Sequence, residues 1–153
     1  MAVRGDVSDN GDGTYTATIT TDSAGKYDLH TYLVIPGGLL GHYYDDAYFS
    51  PDSLTKTRVD ATLNFDWGAG RVTTHGSDFV SVWWGGRLKV DSTQVYTFML
   101  EFDDNVRLYV DGTLIVNKWD RQPGSASGTF AMQADVYHEV LLEYREIRGE
   151  AHL

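Results

Sequence analysis

Two adjacent carboxylates, Asp103 and Asp104, are the residues of this chain best suited to chemistry. Both are hard oxygen donors of the kind calcium takes, about six to eight at a time. Neighbouring side chains in a regular strand point to opposite faces. The pair can therefore share a ligand only where the strand breaks, at a turn or across a cis peptide. The flanking residues predict such a break. Tyr96, Phe98, Leu100 and Phe102 alternate with Thr97, Met99 and Glu101, the pattern of a strand with one buried face. Val106, Leu108 and Val110 resume the alternation, Asp111-Gly112 forms a hairpin turn, and Thr113 to Trp119 is a further strand.

Other candidates carry less. Asp9-Asn10-Gly11-Asp12-Gly13 lacks the downstream glutamate of a calcium loop and reads as a turn. Asp45-Asp46 reads as a solvated pair. The five histidines, His30, His42, His75, His138 and His152, have no metal-ligand spacing, and no serine sits in a nucleophile elbow. Arg4-Gly5-Asp6, an adhesion tripeptide elsewhere, arises easily by chance. Nothing here points to catalysis, so the chain is expected not to be an enzyme.

Composition narrows the partners. The chain has 153 residues, 42% hydrophobic and 13% aromatic, which suits a globular fold. Its 22 acidic and 12 basic residues give a net charge of -10. Such a surface repels phosphate backbones and attracts cations, so nucleic acid is excluded as a partner. Without cysteine there is no disulfide, zinc-thiolate site or cysteine nucleophile. No apolar run approaches a membrane span.

The elements that must position the carboxylates are strands throughout. Thr14 to Thr20 and Lys26 to Val34 alternate as a strand pair. Ile35-Pro36-Gly37-Gly38 is the best boundary, dividing the chain into 1–35 and 36–153. Beyond it, Phe79 to Val90 is a strand interrupted at Gly85-Gly86. Arg121 to Gly128 is a loop, and Thr129 to Ala134 and Glu139 to Tyr144 are the last strands. Many short strands between turn signals predict an all-β sandwich or barrel.

Two resemblances add to this reading. Asp9 to Thr16, with Ala24 to His30, resembles the final strands of a filamin-type immunoglobulin-like repeat. The earlier strands of such a repeat would come from the rest of a parent protein or by strand pairing with another chain. Residues 36–153 resemble a PA14 domain. The resemblance rests on Gly38-Leu39-Leu40-Gly41-His42-Tyr43-Tyr44, Asn64-Phe65-Asp66-Trp67-Gly68, Ser81-Val82-Trp83-Trp84-Gly85-Gly86 and Asp103-Asp104-Asn105-Val106-Arg107-Leu108-Tyr109-Val110-Asp111-Gly112.

The second resemblance implies a PA14-type β-sandwich or barrel in which Asp103 and Asp104 hold calcium. Backbone carbonyls, a neighbouring loop and sugar hydroxyls would complete the shell. Asn105, where the family usually has glycine, is expected to tolerate a left-handed turn. With the 121–128 loop it would shape the pocket. Asn117 stands where the family often has aspartate, and Lys118 puts an ammonium where an amide is common. Trp83 replaces a common arginine and is expected to be exposed, as a platform for a sugar or, more readily, an anchor for a neighbouring protein domain. Trp67, Trp84 and Trp119 are expected in the core. The implied function is calcium-dependent glycan binding, without catalysis, in an extracellular or cell-surface protein. The alternative is a structural module of a fibre or ciliary-type assembly with no sugar binding.

Overall fold

The computed structural model describes residues 6–27, 36–120 and 123–153. The chain forms two compact units, Met1–Leu33 and Val34–Leu153. In the first, strand β1 (Asp6–Asp9) pairs antiparallel with β2 (Tyr15–Thr18). The turn between them is tied by aspartate side chains. Asp9 Oδ1 accepts from the Gly11 amide at 2.8 Å, and Asp12 Oδ1 accepts from the Thr14 amide at 2.9 Å and its hydroxyl at 2.6 Å. The partner of β2 is therefore the segment before the turn. Lys26 and Tyr27 lie outside any strand, and 28–34 lie outside the described residues.

The second unit is an all-β sandwich. Its main layer is an antiparallel sheet ordered β4-β3-β6-β11-β8-β9. These strands are β3 (Leu39–Tyr44), β4 (Leu54–Asp60), β6 (Val80–Lys89), β8 (Asn105–Val110), β9 (Thr113–Lys118) and β11 (Tyr137–Glu146). The remaining strands are β5 (Asp66–Gly68), β7 (Gln94–Phe102), β10 (Gly124–Met132) and β12 (Ala151–His152), paired β10-β7 and β12-β5. One face of the six-stranded sheet carries Tyr43, Val82, Trp84, Val106, Leu108, Leu142 and Tyr144, all buried. Phe102, Phe65 and Trp67 pack against it.

Three details depart from the sequence reading. Gly85-Gly86 does not interrupt its strand; β6 runs straight through. The glycines make room instead, since a Cβ on Gly85 would lie 2.7 Å from the Trp83 ring and one on Gly86 2.6 Å from Leu39. Residues 124–128 are not loop but the first half of β10, paired from Gly124 opposite Phe102. Their small side chains fit a close crossing: a Cβ on Gly128 would meet the Ile115 carbonyl oxygen at 2.3 Å. Trp119 is not in the core. It lies half-buried between two arginines, Arg107 at 4.0 Å and Arg145 at 4.3 Å.

A buried carboxylate pins one side of the core. Asp60 Oδ2 accepts from the Trp84 indole at 2.7 Å and the Tyr43 hydroxyl at 2.5 Å, and Asp60 Oδ1 meets Arg58 Nε at 2.6 Å. Three strands are joined at one side chain. Asp60→Ala strands two buried donors, each worth about 1–3 kcal/mol when left unpaired. Urea denaturation is expected to show a loss of about 2–6 kcal/mol, with Asp60→Asn costing less because it keeps an acceptor. An unchanged midpoint for Asp60→Ala would remove the role assigned to this network.

Candidate metal centre

Asp103 and Asp104 occupy the whole connection between β7 and β8, and their peptide bond is cis. The backbone on either side is fixed. The Asp103 amide donates to the His152 carbonyl at 3.1 Å, while Phe102 and Val106 are buried. The Tyr144 hydroxyl donates to the Asp103 carbonyl oxygen. Asp104 Oδ2 accepts from the amides of Ile147, at 2.8 Å, and Arg148, at 3.2 Å.

A third carboxylate joins them. Glu146 ends β11, two residues after Tyr144 and on the same inward face. One oxygen from each of Asp103, Asp104 and Glu146 lies within 4.8 Å of the others. Glu146 is fully buried, with Oε2 at 3.2 Å from the Tyr144 hydroxyl and, among the described residues, no hydrogen-bond partner for Oε1. The sequence reading overlooked this residue. Its signal was an acid at an inward position of an alternating strand, where burial is costly without a partner.

The group is short of protons. Tyr144 has one hydroxyl proton and two acceptors within reach, the Asp103 carbonyl and Glu146. Burial, then repulsion from Asp104, pushes the Glu146 carboxyl up to about 8. Burial, with repulsion from Asp104 next, also raises Asp103. Burial, followed by the charge on Glu146, raises Tyr144. Such a set fits a divalent cation, which would supply the missing positive charge and engage the free Glu146 oxygen. Asp103, Asp104 and Glu146 are the residues that would hold it.

The other expected ligand-binding residues lie elsewhere. Asn105 is the first residue of β8, fully buried and without the expected left-handed backbone. It faces the outer side of the sheet, where its Oδ1 accepts from Arg145 Nε at 3.0 Å. Asn117 is exposed, opposite Arg107 on that outer side. Trp83 is half-buried there too, stacked on His42 at 4.0 Å and donating to the Tyr44 hydroxyl at 3.0 Å. Arg107, a conceivable partner for the aspartates, is held instead at 2.6 Å from Glu143. Beside Phe102 lies a small cleft of about 190 Å³, lined by Lys118, Asp120, Pro123, Gly124 and Ser125. The second acidic pair serves local structure. Asp45 accepts from the Thr73 hydroxyl and meets His75 at 2.8 Å, and Asp46 Oδ1 accepts from the Tyr48 amide at 2.8 Å.

An all-β sandwich whose layers are joined by an Asp-Asp step, with a third carboxylate converging on it, defines the class. The model of the PA14 domain matches residues 36–153, and the chain belongs to that family. Anti-sigma-I factor RsgI3 of Acetivibrio thermocellus is 36% identical over 109 residues, which span 70% of this chain and 17% of that protein. A solved anti-sigma factor domain-containing protein superposes with a TM-score of 0.71 at 34% identity, over 75% of this chain and 40% of the other. A PA14 sugar-binding domain from an RTX adhesin shares the fold, with a TM-score of 0.58 at 19% identity, over 76% and 86% of the two chains.

The raised Glu146 carboxyl gives a pH dependence with a definite sign. Its folded pKa, about 8, lies above the usual 4.5, so the folded apo protein holds a proton that the unfolded chain has released. That stability is complete below about 4.5 and lost as pH rises through about 8. His42, lowered from 6.5 by burial, works in the opposite direction, its contribution being lost as pH falls below 6.5. The test is therefore a difference. In chelator, the stability of Glu146→Gln relative to wild type is expected to rise between pH 5 and pH 8, roughly the window of the shift. A flat difference across that window would show that Glu146 is not proton-starved.

Proposed function

We propose that residues 36–153 form a non-catalytic, calcium-dependent carbohydrate-binding module. The observation that carries this reading is the convergence of Asp103, Asp104 and the unpartnered, buried Glu146 oxygen. Calcium takes about six to eight oxygens, so three carboxylates leave coordination positions over. Vicinal hydroxyls of a sugar can take them, since a hydroxyl oxygen is a hard neutral donor. The adjacent cleft, with Lys118 and Asp120 on its wall, would receive the rest of the sugar. The sugar-binding PA14 domain of the RTX adhesin, alike in fold, supports the same reading.

The proposed setting is one binding part of a larger extracellular or cell-surface protein. The chain covers only 17% of RsgI3, whose name makes it an anti-sigma factor. In such a protein the module would report a glycan rather than act on it. Affinity per site would be modest and gain from repetition of domains. The filamin-type likeness of residues 9–34 belongs to this proposal as well, as the end of a preceding domain.

The experiment has two readouts. Terbium alone, excited through Trp67, which stacks on Tyr144 at 5.6 Å, is expected to luminesce on binding and to be displaced by calcium. Asp104→Asn is expected to weaken calcium at least about tenfold. On a saccharide array, binding is expected with calcium and lost with chelator and in Asp104→Asn. Binding indifferent to both would overturn the calcium-dependent mechanism.

A further inference from the structure

Away from the acidic centre, one histidine joins the two layers. His138 stands near the start of β11 and is 5% exposed, so both of its ring nitrogens need partners. Both have them. Nδ1 lies 2.7 Å from Asp111 Oδ2, in the turn between β8 and β9, and Nε2 accepts from the Gln133 amide at 3.1 Å. Asp111 is itself fixed: its Oδ1 accepts from the Glu139 amide at 2.8 Å, and its own amide donates to the Glu139 carbonyl at 2.9 Å. Gln133 directly follows β10. The imidazole therefore ties the end of a strand in the smaller layer to a turn of the six-stranded sheet. The Phe130 ring, also from β10, meets it edge-on at 6.1 Å. β8 runs from the acidic centre at Asn105 to this turn, so the tie lies at its far end.

The two bonds assign the protonation of the ring. A backbone N–H only donates, so Nε2 carries no proton. A carboxylate only accepts, so Nδ1 carries one. A second proton would have to go on Nε2, where it would face the Gln133 N–H, donor against donor. Asp111 favours a charged ring, but its bond is made by either form. The Gln133 bond exists only with the neutral form.

The other charges near the ring are paired with one another. In β6, Leu88 stands opposite His138, between Arg87 and Lys89. Arg87 meets Glu139 at 3.9 Å, and Lys89 meets Asp135, two residues after Gln133, at 3.0 Å. Among the described residues, Asp111 is the carboxylate in hydrogen-bond contact with the ring.

We propose that His138 is a proton-operated latch between the layers. With the ring neutral, the end of β10 is held to the β8–β9 turn. When Nε2 takes up a proton, the Gln133 bond is lost and residue 133 moves off the ring. The next residues keep their own ties, Ala134 to the Thr93 hydroxyl at 2.9 Å and Asp135 to the Val90 carbonyl at 3.0 Å, so the opening stays local. Histidine is the side chain suited to such a device, since its charge changes between about pH 5 and 8.

NMR of the 153-residue chain tests this. At about pH 8, long-range proton–nitrogen spectra are expected to show His138 as the Nδ1–H tautomer. Between about pH 8 and 5, protection of the Gln133 amide against exchange, corrected for the intrinsic rate, is expected to fall at least about tenfold, in step with protonation of His138. The Leu142 amide, in the middle of β11, is expected to keep its protection. His138→Gln presents an uncharged oxygen to the Gln133 amide and is expected to give equal protection at both pH values. An Nε2–H tautomer at the higher pH, a ring still neutral at the lower, or equal protection of Gln133 at both in the wild type would each overturn the proposal. So would a wild-type pH response in His138→Gln, which would place the titrating group elsewhere.

Discussion

The crossing from one layer of the sandwich to the other is made in two residues. Phe102 ends a strand of the smaller layer, Asn105 begins a strand of the six-stranded sheet, and only Asp103 and Asp104 lie between them. Both flanks are anchored, since Phe102 and Val106 are buried in the same core. So short a link leaves little freedom for what surrounds it. β12 is drawn in to pair at Asp103, the 147–148 amides close on Asp104, and β11 presents Tyr144 and Glu146 to the same point. The acidic centre is built from residues distant in sequence because the crossover brings three strand ends together.

That geometry also decides what the sequence could reveal. Alternation made most strands visible, and the Asp-Asp step stood out because it broke the alternation. The PA14 fold followed from motifs that lie on core strands. Glu146 stayed hidden because an acid near the end of a strand looks like a solvated one until its neighbours are known. Trp119 looked like core because tryptophan usually is, yet two arginine planes and the Phe49 ring give it a packed site on the other side of the sheet. The start of β10 was missed because Gly124, Ser125, Ala126 and Ser127 carry a loop composition. Their size answers a tertiary demand, the close approach of β9, which local propensity does not encode.

The two faces of the six-stranded sheet repay comparison for the same reason. The inner face is apolar because the second layer covers it. The outer face carries a packed aromatic cluster among charged side chains, with Arg107 paired to Glu143 and Arg87 to Glu139. The cluster, Tyr44, Phe49, Trp119 and the two arginines, is stabilised by its own contacts and needs no partner.

Two buried carboxylates, Asp60 and Glu146, sit in opposite surroundings. Burial alone does not distinguish them, as both are almost fully enclosed. The surroundings do. Asp60 is met by an indole N–H, a phenol and a guanidinium, so every favourable direction is filled by a donor. Glu146 is met by two other carboxylates and by one phenol whose proton another acceptor also takes. The first set is complete with protein atoms alone. The second becomes complete only by taking up a proton or a cation. The deficit of donors at Glu146, more than the acidity of the Asp pair, is therefore what argues for a bound cation.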